Sequence, residues 1–224
     1  MTAEASIRCT RICLKKDFSL YSMITFMSDI ICITARNLCC RDFLQRLGLI
    51  ANGAPKAVIL REKDLTEAEY RELAEKTVDI FKESNTRLIL HNFYKPAIDM
   101  EWKYIHLPLH VLREMSREDK KCFECIGTSC HSVADALEAV RLGADYITAG
   151  HVFATDCKKG LEPRGLDFLR AVCKSVDIPV YAIGGITPYN IDEVMAAGAS
   201  GACVMSGLMK CDDPAEYIRE FEKK

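Results

Sequence analysis

Short apolar runs alternate along the chain with longer stretches whose apolar residues recur at helical spacing. The runs are Ile30-Ile31-Cys32-Ile33, Ala57-Val58-Ile59-Leu60, Arg87-Leu88-Ile89-Leu90, Tyr104-Ile105-His106-Leu107, Glu124-Cys125-Ile126-Gly127-Thr128, Tyr146-Ile147-Thr148-Ala149, Ile178-Pro179-Val180-Tyr181-Ala182-Ile183 and Gly201-Ala202-Cys203-Val204-Met205. They lack strict in-out alternation, as expected of strands covered on both faces. Between and after them the spacing predicts helices over 41–50, 66–83, 133–142, 166–175, 189–197 and 214–222. Thr66-x-x-Glu69 is a capping box, Ser132 caps the helix that Gly143 stops, and Gly198 ends the next but one. A short connection through Pro96 joins the third and fourth runs. Eight strands alternating with helices predict an α/β fold, a TIM (β/α)8 barrel in a single domain.

Composition narrows this picture. Of 224 residues, 49% are hydrophobic and 28% charged, which excludes a disordered or fibrous chain. A net charge of -2 gives no electrostatic case for nucleic acid or an anionic membrane as partner. The twelve cysteines fall below the density of a disulfide scaffold, and several, such as Cys32 and Cys203, stand inside apolar runs as small hydrophobes. Cys122-x-x-Cys125 lacks a second ligand pair at zinc spacing, so no metal site is expected and reduced thiols point to a cytoplasmic protein. Residues 1–26 mix charged residues with short apolar patches, read as an extension before a barrel domain over 27–224; Met27 is an alternative start.

In this fold the active site forms at the carboxyl ends of the strands. Gly184-Gly185 follows the seventh run, and Met205-Ser206-Gly207 closes the eighth; glycines there let amides approach a phosphate. Arg61 and Lys63 follow the second run, as anion binders or as a solvated charge cluster. Asn92 follows the third. Ser129-Cys130-His131 follows the fifth, and His131 suits general acid–base work. The polar loop 150–160 follows the sixth and carries Lys158, either a ligand contact or an exposed loop residue.

Taken together, Gly143-Ala144-Asp145-Tyr146, the 150–160 loop, Ala182-Ile183-Gly184-Gly185-Ile186 and Val204-Met205-Ser206-Gly207 resemble the thiamine phosphate synthase/TenI superfamily. The likeness runs from Asp29 to the C-terminus. It implies two activities. The synthase joins a pyrimidine diphosphate to a thiazole phosphate, releases pyrophosphate and uses magnesium. The TenI-type thiazole tautomerase shifts a double bond in a carboxythiazole phosphate and needs no metal. The synthase pattern has acidic residues where Asn92 and Val111 stand, a Gln where Ile59 stands and a Thr where Cys157 stands. The segment from Gly150 to Gly165 and Leu107-Pro108 are similar to TenI, while Arg61-Glu62-Lys63-Asp64-Leu65 keeps the synthase form.

The expectation is therefore a metal-independent tautomerase without cofactor. The resemblance implies His131 as its acid–base, phosphate held by Gly184, Gly185, Met205, Ser206 and Gly207, and substrate contacts from Arg61, Lys63, Asn92, Ser129 and Lys158. Its partner is a small phosphorylated thiazole, and a homo-oligomer is compatible with the sequence. A divergent, magnesium-using synthase is the alternative. A non-catalytic regulatory binder is the other, and a buried His131 turned from the barrel mouth would mark it.

Overall fold

A computed structural model of the chain describes residues 28–223; the proposed extension and the start at Met27 lie outside them. Eight parallel strands close into a barrel in chain order, with β1 paired to both β2 and β8. They are β1 Ser28–Ile33, β2 Pro55–Leu60, β3 Arg87–His91, β4 Tyr104–Pro108, β5 Cys125–Cys130, β6 Tyr146–Gly150, β7 Val180–Ile183 and β8 Gly201–Val204. The helices are α1 Phe43–Asn52, α2 Glu67–Phe81, α3 Tyr94–Asp99, α4 Leu109–Glu114, α5 Arg117–Lys121, α6 Val133–Arg141, α7 Gly165–Ser175, α8 Ile191–Ala196, α9 Ser206–Lys210 and α10 Pro214–Glu220. All eight expected strands are present, and so is each expected helix.

The differences lie at the edges, and each has a local cause. Asp42 accepts the Gln45 amide at 2.9 Å, so α1 starts at Phe43 rather than Arg41. Asn190 turns back onto Thr187 and Gly185 before α8 begins, leaving Tyr189 exposed ahead of the helix. Helices α3, α4, α5 and α9 have five or six residues each, too short for a 3.6-residue period to register. The capping box at Thr66 and Glu69 forms with both reciprocal bonds.

Two apolar layers follow from strand parity. One set of residues packs outward under the helices. The other, Ile31, Ile33, Ala57, Ile59, Ile89, Cys125, Tyr146, Tyr181 and Cys203, fills the barrel. Tyr70 of α2 is fully buried and ties two strands: its hydroxyl donates to the Leu60 carbonyl at 2.7 Å and accepts the His91 amide at 2.7 Å. Arg46 of α1, 1% exposed, donates to the Cys211 carbonyl at 2.7 Å and so links the first helix to the segment after α9.

Gly127 faces inward on β5, and a Cβ there would fall inside the Tyr146 ring. The glycine is the space that the tyrosine occupies. Gly48, on α1, has nothing within 4 Å of its missing Cβ. Urea unfolding checks the contrast: Gly127→Ala is expected to lose about 2–3 kcal/mol through overpacking, whereas Gly48→Ala is expected to gain about 0.5–1 kcal/mol of helix propensity.

Candidate active site

The carboxyl ends of the strands gather most of the residues singled out above. Arg61 leaves β2 with its amide donating to the Thr34 hydroxyl at 2.9 Å. Burial, opposed by the neighbouring Glu62 carboxylate, lowers the pKa of its guanidinium. The pKa of Lys63 is lowered as well, first by the Arg61 charge, then by burial, then by Lys158. Lys158 belongs to a 3-10 turn, Asp156–Lys158, on the loop after β6. Two loops far apart in sequence thus bring Arg61 and Lys158 both within repelling range of Lys63. Among the described residues none of the three forms a salt bridge. Positive charge at a barrel mouth that no ion pair holds favours an anionic ligand.

The nearby carboxylates are engaged elsewhere. Glu62, 4% exposed, accepts from the Thr34 hydroxyl at 2.7 Å and the Arg36 amide at 3.0 Å. Asp64 accepts from the Arg36 guanidinium at 2.7 Å. Asn92 follows β3 in a left-handed conformation, φ 70°, and Val111 sits in α4. The described residues contain no group of three or more His, Cys, Asp or Glu able to hold a metal ion. Magnesium needs oxygen ligands, usually one or two carboxylates. The residues at this mouth do not fit the ion that the synthase resemblance implies.

At the end of β7, Gly184 and Gly185 have φ of 101° and 67°. A Cβ on Gly184 would strike His151, and one on Gly185 would strike Phe153 and the Ala154 carbonyl. The pair therefore lets the β6 loop lie directly on the end of β7. Among the described residues the Gly184 and Gly185 amides donate to no backbone carbonyl. Met205 precedes α9, and Ser206 and Gly207 open it, so the first amides of that turn lack helical acceptors. Gly207 also leaves room for the Tyr217 hydroxyl.

His131 stands just past β5 and is exposed. Its Nδ1–H donates to the Gly150 carbonyl at 2.9 Å, which leaves Nε2 as an acceptor. With His151, Lys158, Glu162 and Arg164 it lines a cavity of about 310 Å³ under the β6 loop. The His131 ring is exposed and lines this cavity beside Lys158, so the burial expected of a non-catalytic binder is not found. Ser129 and Cys130 lie within β5 rather than after it. Ser129 faces the interior; Cys130 is fully buried in the outer layer, and burial pushes its thiol up to about 12, away from the mouth and from any role there. Cys157 is exposed on the mouth loop and within electrostatic range of Arg61.

His91, His106, Tyr146 and Thr148 are buried polar residues of the barrel that are not among the site residues expected above. His106 is 3% exposed; its Nδ1 bonds the Tyr146 hydroxyl at 3.0 Å and its Nε2 the Ser129 hydroxyl at 2.9 Å. His91 stacks on it with ring centroids 6.0 Å apart. Burial, and then the Arg61 charge, bring His106 down to about 3. Burial, His106 and the cations lower His91 as well. The signal was the shared parity of Tyr104 and His106, of Gly127 and Ser129, and of Tyr146 and Thr148, which places polar residues on the inner face.

A closed parallel barrel of eight strands ringed by helices, with a cationic mouth and a glycine pair after β7, defines a single-domain (β/α)8-barrel protein. The family described as thiamine monophosphate synthase matches residues 30–208. The chain belongs to this family, the thiamine phosphate synthase/TenI superfamily. It is 36% identical over 212 residues to the putative thiamine-phosphate synthase of Geobacter sulfurreducens, covering 92% of this chain and 93% of that one. It is 32% identical over 188 residues to thiamine-phosphate synthase 2 of Streptococcus pneumoniae, covering 82% and 88%. Among solved structures it resembles the thiamine phosphate pyrophosphorylase of Pyrococcus furiosus, with a TM-score of 0.74 and 28% identity over 87% of this chain and 93% of that one. These relatives overturn the expectation of a thiazole tautomerase, an isomerase: the proteins that this chain matches are named as synthases, which are transferases. No helix among the described residues is long and apolar enough to cross a membrane.

The neutral histidines set a pH dependence. A histidine whose folded pKa lies below its unfolded value near 6.5 binds its proton first in the unfolded chain, so stability falls as pH drops through that value. For His106 the loss continues toward pH 3, at up to about 1.4 kcal/mol per pH unit. Urea titrations between pH 7 and pH 5 are expected to show stability falling, with a shallower slope in His106→Gln. An equal slope in the two proteins would contradict the neutral assignment.

Proposed function

We propose that this chain is a transferase of the thiamine-phosphate-synthase kind, which joins a diphosphate-activated pyrimidine to a phosphorylated thiazole and releases pyrophosphate. The observation that carries this reading is the gathering of Arg61 and Lys158 around Lys63 with none of them in a salt bridge among the described residues, a repulsion that a diphosphate would relieve. As the new bond to the thiazole forms, the bond from carbon to the diphosphate oxygen breaks and negative charge grows on the leaving group. Fixed cations aimed at that charge stabilise it more in the transition state than in the ground state. Gly184, Gly185, Met205, Ser206 and Gly207 hold the thiazole phosphate through backbone amides at the ends of β7 and β8. Asn92 and Ser129 contribute from the ends of β3 and β5, and His131 offers Nε2 at the cavity beside the β6 loop. No step here passes through magnesium, because the mouth lacks the carboxylates for it. The names of the relatives support the reaction class, and a cytoplasmic location goes with it.

The test is direct. The full chain is incubated with the pyrimidine diphosphate and the thiazole phosphate, with and without added magnesium, and pyrophosphate and the coupled product are followed. Turnover is expected, and Arg61→Ala or Lys63→Ala is expected to lower kcat by about 100-fold, the scale for removing one charge-stabilising group. Lys158→Ala is expected to raise the KM for the diphosphate. Absence of pyrophosphate under both conditions sinks the reading.

A further inference from the structure

The buried polar chain inside the barrel has a direction, which follows from where its protons can go. Tyr146 is 2% exposed and its hydroxyl has one hydrogen-bond partner among the described residues, His106 Nδ1 at 3.0 Å. Thr148, also 2% exposed, likewise has one side-chain partner there, the Ser129 hydroxyl at 3.3 Å. Each buried O–H must donate or remain unmet, and an unmet one is costly. If the phenol donates to Nδ1, that nitrogen is the acceptor, and a neutral imidazole then carries its proton on Nε2. Nε2–H donates in turn to the Ser129 oxygen at 2.9 Å. Thr148 donates to the same oxygen, whose two acceptor sites are then filled. The Ser129 proton has only the mouth left to point into. The opposite arrangement, with Nδ1–H donating to the phenol, strands the phenol proton in the interior.

We propose that His106, Tyr146 and Thr148 are positioning residues that orient the Ser129 hydroxyl, a substrate contact the family resemblance already implies, as a one-way hydrogen-bond donor. The acceptor is an anionic or unprotonated atom of the ligand, and a group that can only donate is refused at this position. His106 stays neutral in this role because it is buried and because the Arg61 charge disfavours a second cation there. Gly127 supplies the room that brings the Tyr146 hydroxyl to Nδ1. The inference rests on the proposed transferase reading only for the identity of the acceptor, a diphosphate oxygen.

Ring nitrogen spectra of the full chain labelled with 15N-histidine test the direction without any substrate. His106→Gln assigns the signals. At pH 7 the expected state of His106 is neutral with the proton on Nε2, whereas His131 carries its proton on Nδ1; a proton on Nδ1 of His106, or an imidazolium, overturns the proposal. Tyr146→Phe is expected to release His106 into a mixture of tautomers, and an unchanged tautomer removes Tyr146 from the relay. Inorganic pyrophosphate serves as probe for the donor. Ser129→Ala is expected to weaken its binding about tenfold to a hundredfold, Ser129→Thr to restore it, and His106→Gln to weaken it although the serine remains. Unchanged affinity in Ser129→Ala overturns the donor role. If the tautomer and the affinity losses are found but no coupled product forms, the donor assignment stands and the transferase reading fails.

Discussion

A closed barrel of eight strands has an interior that must be filled, and filling it is the constraint from which the rest of this molecule follows. Apolar side chains from β1, β2, β3, β7 and β8 occupy most of it. On the side of β4, β5 and β6 the filling is instead a tyrosine, a histidine, a serine and a threonine, closed by hydrogen bonds. Polar groups taken from water must find partners. These do so almost completely within the set, and what remains unpaired faces the mouth. Packing thus decides the chemistry: Gly127 admits the Tyr146 ring, the ring reaches His106, and His106 reaches the one hydroxyl at the surface of the layer.

The fold was legible because parallel strands covered on both faces leave continuous apolar runs, and eight of them can be counted along the chain. Inner from outer positions were harder to tell for the same reason. A strand buried on both sides shows no contrast between its faces, so His106 and Tyr146 read as members of apolar runs. Ser129 was placed beyond the strand because a polar residue normally signals its end. Only pairing of β5 with β4 and β6 shows that the ladder continues through it. The short helices α3, α4, α5 and α9 escaped because one turn and a half carries no period. The glycines after β7 were read for phosphate, and they also have a packing reason, since the β6 loop lies on them.

The choice between two activities illustrates a different limit. The loop after β6 carried the resemblance to the tautomerase, yet the whole-chain likeness is to proteins named synthases. A loop match of a dozen residues reports on one wall of the mouth. The cation cluster draws on two walls, β2 and β6, and such clusters have no signature in either segment alone. Their proximity becomes evident only when Lys63 is found to feel both Arg61 and Lys158.

The same cations explain why the ends of β3 and β4 are uncharged. Arg61 acts on His91, His106 and Lys63 together. Protonating either buried histidine would add a positive charge where Arg61 and Lys158 already repel Lys63, so both rings are held neutral and serve as hydrogen-bond groups rather than as further cations. Carboxylates in the places of Asn92 and Val111 would draw Arg61 and Lys63 into ion pairs unless a metal stood between them. With neutral side chains there, the guanidinium and ammonium groups form no ion pair among the described residues. The loss of acidic residues at β3 and β4 and the survival of the Arg61 and Lys63 pair are therefore one electrostatic arrangement, in which charge that a metal could supply is left to the side chains of β2 and the β6 loop.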